Sequence, residues 1–311
     1  MNWTLIVDLV LAAGLVLLAW HAVIGGTLFR GIVMFVVFGM VLALAWAWLG
    51  SPDLAMAEAA IGAGVTGALL MIAYWRLKRI NAVEPVDPSP LRSRMALVVA
   101  VLGTAVVGII GLASVAALGG SADAARMMNA ALPDTGIGNP ITGVLIIFRN
   151  LDTLLEVAVL LAAYAGARAA FGSHHAALPQ PPSSTPLFGA LVTIVGPLTV
   201  VVAIYLFQAG SQLPGGAFQA GATLAALGVM LVLAGRLGPA PEAGLITKMI
   251  LVVGTLVFCL VGLGALLVDM PILGIPGIWA VYLIEAAMMV SIALTLVLLF
   301  AGAARLDWRR P

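Results

Sequence analysis

The sequence predicts an all-α, polytopic membrane protein with about nine transmembrane helices in blocks of three, two and four. The N-terminus is expected outside and the C-terminus inside. Three observations carry this prediction. Only 9% of the 311 residues are charged and 63% are hydrophobic, whereas a soluble domain carries about 25% charged residues. Apolar runs recur at the roughly 20 residues that a bilayer-spanning helix needs. The basic residues fall on alternate loops, as the positive-inside bias requires. A mean hydropathy of +1.19 agrees, and a soluble enzyme is excluded. A net charge of +1 gives no case for nucleic acid. Cys259 is the single cysteine and the three histidines are not clustered with other ligands. No disulfide framework, metal site or cofactor is therefore proposed.

Spans are expected at roughly 4–24, 30–49, 53–75, 95–117, 141–166, 187–208, 215–235, 246–268 and 279–303. None shows the dyad alternation of a barrel strand, so helix is the default. The first span opens on Met1-Asn2-Trp3-Thr4, without a basic leader region, and its apolar run continues past Ala19. It reads as a retained helix rather than a cleaved signal. Asp8 lies near its outer end, to snorkel or pair, and His21 near its inner end, as an interfacial residue.

The turn Gly50-Ser51-Pro52-Asp53 ends the second span and opens the third. Asp53 follows the proline and is expected to cap the third helix. Glu58 lies one to two turns further in, where an ionisable side chain needs a reason. It reads as a protonatable site, and Gly62, Gly64 and Gly67 after it allow another helix to approach closely. Residues 76–94 are rich in charge and proline and read as a spacer before the fourth span.

The fifth span carries Arg149, Asp152 and Glu156. At 100° per residue they share one helix face, in a ladder about 10 Å tall, with Asp152 able to meet both neighbours. An Arg–Asp pair that neutralises itself explains two of them. Glu156, deeper in the span, is left without a local cation and is expected on a proton or cation path. A second Pro-rich stretch, about 172–186 with His174 and His175, precedes the sixth span.

Leu213-Pro214-Gly215-Gly216-Ala217-Phe218-Gln219-Ala220-Gly221 opens the seventh span. It lacks the Gly-Lys-Ser/Thr of a phosphate loop, so nucleotide binding is not supported. The glycines suit a tight turn and close packing, while Gln208, Gln212 and Gln219 could line a wet path. The turn Gly274-Ile275-Pro276-Gly277 precedes the last span, where Glu285 either bonds a neighbouring helix or serves the ion path.

With the N-terminus outside, the inner loops hold Arg30, Arg76, Lys78, Arg79, Arg92, Arg94, Arg168, Arg236, Lys248, Arg305, Arg309 and Arg310, and the outer ones only Arg126. No internal repeat of the kind found in secondary transporters is evident. No lysine lies in mid-membrane, so a Lys–Glu relay is absent and the chain reads as part of a larger machine.

Three of these stretches carry a family resemblance. The block Ala43 to Gly64, with Gly50-Ser51-Pro52-Asp53-Leu54-Ala55-Met56-Ala57-Glu58, resembles the D subunit of the energy-converting membrane-bound hydrogenases. The same module forms part of the C-terminal region of the large A subunit of Mrp-type multisubunit sodium/proton antiporters. The block Asn139 to Glu156, with Phe148-Arg149-Asn150-Leu151-Asp152, resembles the E subunit of those hydrogenases, although Asn150-Leu151 stand where that family more often has Gly-Phe. Gly210 to Gly221 resembles the motif of the B subunit of Mrp antiporters. The resemblance implies modules at 1–80, 90–172 and 186–305.

It further implies a non-autonomous membrane subunit of a sodium/proton antiporter, not an enzyme, in the cell membrane. Its partners would be other membrane subunits, including an antiporter-like one, together with Na⁺, H⁺ and the lipid bilayer. The implied path residues are Asp53, Glu58, Arg149, Asp152 and Glu156. Glu285 has no family motif behind it, because Ile278-Trp279-Ala280 stand where the family begins this span with Asp-Ile-Gly. A hydrogenase or other complex-I-related pump, and a structural adaptor carrying no ions, remain alternatives. A free-standing solute transporter is disfavoured by the lack of repeats and of a substrate-sized polar cluster.

Overall fold

A computed structural model describes residues 3–24, 26–79, 90–171, 186–240, 244–302 and 305–308. The first three-helix block is α1 (Trp3–Ile24), α2 (Leu28–Trp48) and a compound third helix. That helix runs as α3 (Pro52–Ala57), a π-helical stretch (Glu58–Val65) and α4 (Thr66–Arg79). Next come α5 (Pro90–Ala131), a 3₁₀ turn (Leu132–Thr135), α6 (Pro140–Thr142) continuing as a π-helical stretch (Gly143–Phe148), and α7 (Asn150–Phe171). The last block is α8 (Pro186–Ala209), α9 (Ala217–Leu233), β1 (Leu237–Ala240), α10 (Leu245–Gly264) with a 3₁₀ turn (Ala265–Val268), α11 (Ile278–Ala301) and β2 (Arg305–Trp308).

The all-α, multi-pass expectation holds. Eight helices are long and apolar enough to cross a membrane, and a ninth crossing is possible if one bent pair counts as a span. Four details differ from the expectation. The span expected at 141–166 is not one rod. The segment Asp123–Thr135 bends by 100° into Pro140–Phe148, and the chain breaks again at Arg149 (φ −135°, ψ 40°) before α7 starts. The span expected at 95–117 is the middle of a 42-residue helix, about 63 Å long at 1.5 Å per residue and so longer than a bilayer is thick. The seventh span is the 17-residue α9, short of a full crossing. β1 and β2 pair antiparallel, Leu237 opposite Trp308 and Ala240 opposite Arg305, in an otherwise helical chain. Of the two expected spacers, 80–89 and 172–185, with His174 and His175, lie outside the described residues, while 76–79 and 90–94 are helical.

The core forms around α11. It is apolar on all sides, and Ala280, Val281, Ile284, Met288, Ile292 and Leu298 are buried. It packs against α9, α10, α7 and α4. Gly221, Gly228 and Gly254 let neighbours come close, since a Cβ at those places would meet Ile292, Val297 and Ser291. Close backbone approach of this kind drives helix association where lipid is as apolar as the side chains. Phe258 and Met288 fill the cluster, and the Ser291 hydroxyl bonds the Leu251 carbonyl at 2.7 Å. By contrast the described side chains of α5 are almost all exposed.

Candidate functional site

The three stretches that carried the sequence reading meet at one end of the bundle, at the starts of α3, α6 and α9. Each has backbone that a straight helix cannot supply. The loop between α8 and α9 folds back so tightly that a Cβ on Gly210 would come within 2.5 Å of the Gly216 Cα. Gly215 and Gly216 adopt φ of +159° and +120°, and Gly216 N–H returns to the Leu206 carbonyl at 2.9 Å. This turn presents Gly215 N–H to the Asp53 carboxylate at 3.0 Å. Asn139 caps α6 through its side-chain oxygen, bonded by Ile141 N–H at 2.9 Å. Its amide nitrogen reaches Asp53 at 3.2 Å, the Gly210 carbonyl at 3.2 Å and the Leu213 carbonyl at 3.0 Å. Thr142 donates to the Gly210 carbonyl at 2.6 Å.

Asp53 therefore does not cap its own helix. Ser51 holds the N-cap position without a side-chain bond. Asp53 is 5% exposed and ties α3 to two distant loops. A local cap would have left it in water; the donors on Gly215 and Asn139 draw it inward.

Beside this knot lies a cavity of about 250 Å³. Asp53, Glu156 and Glu285 all line it, with Thr142, Thr153 and Gln219. Glu285 is 3% exposed. Its carboxylate faces the backbone N–H of Ala217 at the open N-terminus of α9, which has no side-chain cap. Its Oε2 is buried without a hydrogen-bond partner among the described residues. Glu156 is exposed on α7, so the cavity reaches the surface of the chain there. Among the described residues it makes no hydrogen bond or ion pair.

The other expected residues sit elsewhere. Arg149 and Asp152 form an ion pair at 2.7 Å, 63% and 50% exposed at their side chains, and do not line the cavity. The break at Arg149 removes the continuous ladder. Glu58 begins the π-helical stretch, with its carboxylate folded over Gly62, where a Cβ would collide with Glu58 Oε1. It does not line the cavity either. Asp8 accepts the Trp48 indole N–H at 2.8 Å, as an interfacial pairing. The His21 ring nitrogen bonds the Leu17 carbonyl of its own helix at 2.7 Å. Of the glutamines, Gln219 faces the cavity, Gln212 donates to the Gly136 carbonyl at 2.9 Å and Gln208 is exposed.

Sequence reasoning passed over Asn139 and Thr142 as functional groups. The signal was present, since Asn139-Pro140 is a helix-start pair. Three carboxylates on one cavity among apolar helices are costly and ask for a compensating proton or cation. That is the chemistry this site can do.

Comparison with known proteins agrees with this architecture. Residues 13–79 match the MbhD family, the D subunit of MBH. Residues 187–302 match the domain related to the MnhB subunit of Na⁺/H⁺ antiporter. The fold is similar to a chain in the structure of the Mrp complex from Dietzia sp. DQ12-45-1b, at 22% identity and a TM-score of 0.73. That match covers 94% of this chain and 34% of the other, so this chain spans about a third of its length. No curated protein matches the chain.

Proposed function

We propose that this chain, an Mrp-type membrane subunit in which an MbhD-like module is joined to an MnhB-like one, works in a multisubunit cation/proton antiporter and carries part of its ion path. Na⁺ is the cation and H⁺ the counter-ion in this reading. The role is transport rather than catalysis. The path consists of Glu156 and Glu285 on the cavity, with Asp53 holding its wall. Glu58 and the Arg149–Asp152 pair extend it along the π-helical stretch after α3 and the start of α7. The carrying observation is the cavity that brings Asp53, Glu156 and Glu285 together from three separate helices.

Exposure supports the non-autonomous part. Arg149, Asp152 and Glu156 lie on α7 or just before it and are exposed in the isolated chain. Charged groups on a spanning helix face protein or a wet cavity rather than lipid. A partner membrane subunit, antiporter-like in this proposal, covers that face. The proposal includes an outer N-terminus, which puts the Asp53 end outside, and the division into modules at 1–80, 90–172 and 186–305.

The test is Na⁺-driven proton movement in inverted membrane vesicles that hold the whole complex. Glu156→Gln and Glu285→Gln are each expected to lower exchange at least ten-fold while the complex still assembles. Full exchange by both variants would reduce the chain to a structural adaptor. The MbhD match favours a second reading, a membrane subunit of a hydrogenase-type complex. Mass analysis of the complex purified in mild detergent separates the two: antiporter subunits for the first, hydrogenase large and small subunits for the second.

A further inference from the structure

At the end of the bundle opposite Asp53, α4, α7 and α11 finish together. A cavity of about 40 Å³ lies between their last turns, lined by Arg76, Tyr164, Arg168, Leu298, Leu299 and Gly302, with Ala167. Two guanidinium side chains come to it from different helices, and no carboxylate lines it among the described residues. Arg76 Nε and Nη2 are buried and have no hydrogen-bond partner among the described residues. Gly302, at φ +60°, makes the room, since a Cβ there would stand 2.6 Å from Arg76 Nη2.

Closing the end of α11 does not explain Arg76. Gly302 N–H already bonds the Leu298 and Leu299 carbonyls, and the two orphaned nitrogens bond neither. Buried N–H groups of a guanidinium left without acceptors are costly. A volume of this size admits one or two oxygen atoms, not a whole solute.

The depth identifies the oxygens. The spanning segments end at Lys78, Ala169 and Ala301, within a turn of Arg76, Arg168 and Gly302. Trp75 is exposed one residue before Arg76, and Lys78 lies 5.2 Å from the centre of its ring. Aromatic and basic side chains at span ends mark the headgroup layer, where basic pockets between helices bind acidic lipids.

We propose that this cavity is a headgroup site for an anionic phospholipid, with a phosphate oxygen received by Arg76 Nε and Nη2 and the acyl chains lying in the bilayer beside the span ends. The site is separate from the carboxylate cavity and does not depend on the ion-path reading.

The test reconstitutes the full chain, with the membrane subunits that accompany it, in nanodiscs containing spin-labelled phosphatidylglycerol or phosphatidylcholine. Wild type should immobilise phosphatidylglycerol about five-fold in excess, the factor that one interfacial guanidinium gives to acidic-lipid binding. Arg76→Gln removes the donors, and Ala167→Leu fills the cavity while keeping every charge. Each should bring the ratio to parity. Equal binding of the two lipids by wild type, or an unchanged preference in either folded variant, overturns the proposal. If Arg76→Gln does not fold, Ala167→Leu decides alone. Displacement of the labelled lipid by inorganic phosphate would assign the cavity to a soluble anion and overturn the lipid.

Discussion

Replacing Asp53 by alanine tests whether the knot at the helix starts holds the two matched modules together. Asp53 Oδ1 accepts from Gly215 N–H at 3.0 Å and from Asn139 Nδ2 at 3.2 Å. Both involve an ionised acceptor in a buried place, where such a bond contributes about 1.5–3 kcal/mol. The two partners do not lose equally. Asn139 keeps the Gly210 and Leu213 carbonyls, both within 3.2 Å, so its amide stays satisfied. Gly215 N–H has no substitute, and an orphaned buried donor costs about 1–3 kcal/mol. The cost of Asp53→Ala is therefore about 3–5 kcal/mol once the two contributions are not counted twice. Asp53→Asn keeps an oxygen for Gly215 but turns an amide group toward the Asn139 amide, so about half the loss is expected.

The assay is reversible unfolding of the purified chain in mixed micelles, followed by tryptophan fluorescence. A double cycle of Asp53→Ala with Asn139→Ala should show a coupling of about 1–2 kcal/mol, because the residues share a bond. A loss below about 0.5 kcal/mol for Asp53→Ala, or strict additivity in the cycle, would refute the argument that Asp53 is a cross-link.

Three further outcomes follow from the packing. Gly62→Ala should change stability by under about 0.5 kcal/mol in the same unfolding assay, because the Glu58 carboxylate that its Cβ would meet is the end of a flexible side chain and swings aside. Gly210→Ala should abolish folding or cut the yield of folded chain severely, because its Cβ would meet Gly216 backbone, while Gly189→Ala, with open space around it, should change stability by under about 0.5 kcal/mol. Phe258→Ala, at a fully buried site in the core beside α11, should cost about 3–5 kcal/mol by the same measurement.

Hydropathy made the number of spans legible, because burial in lipid leaves a composition that any window detects. It could not locate the breaks. A π-helical stretch over Glu58–Val65 and another over Gly143–Phe148 leave composition untouched while shifting every later side chain around the axis. The second break falls at Arg149, the first member of the expected Arg149–Asp152–Glu156 ladder: the Arg149–Asp152 pair still forms, while only Asp152 and Glu156 share the axis of α7. The role of Asp53 was hidden for a different reason. An acid just after a turn proline fits a helix start equally well, and the partners that draw it inward lie 86 and 162 residues away. Glu285 shows the opposite case. It has no motif, but the rule that a charge in a span needs a reason singled it out, and it is the most deeply buried acid on the cavity.

The placement of charge also separates acids that build the fold from those that the proposed ion path would use. Helix starts expose backbone N–H groups and favour acids; helix ends expose carbonyls and favour bases. Asp53 lies in the first turn of α3 and Glu285 faces the first N–H of α9. These two positions follow from helix polarity, and an apolar environment makes that polarity count for more. Glu156 does not fit the pattern. It stands beyond the first turn of α7, with no hydrogen bond or ion pair among the described residues. The second oxygen of Glu285 is likewise unused by α9. Since the fold accounts for neither group and both open onto one cavity, the proposed ion path places its proton or cation there, and Glu156→Gln should cost activity while leaving stability nearly unchanged.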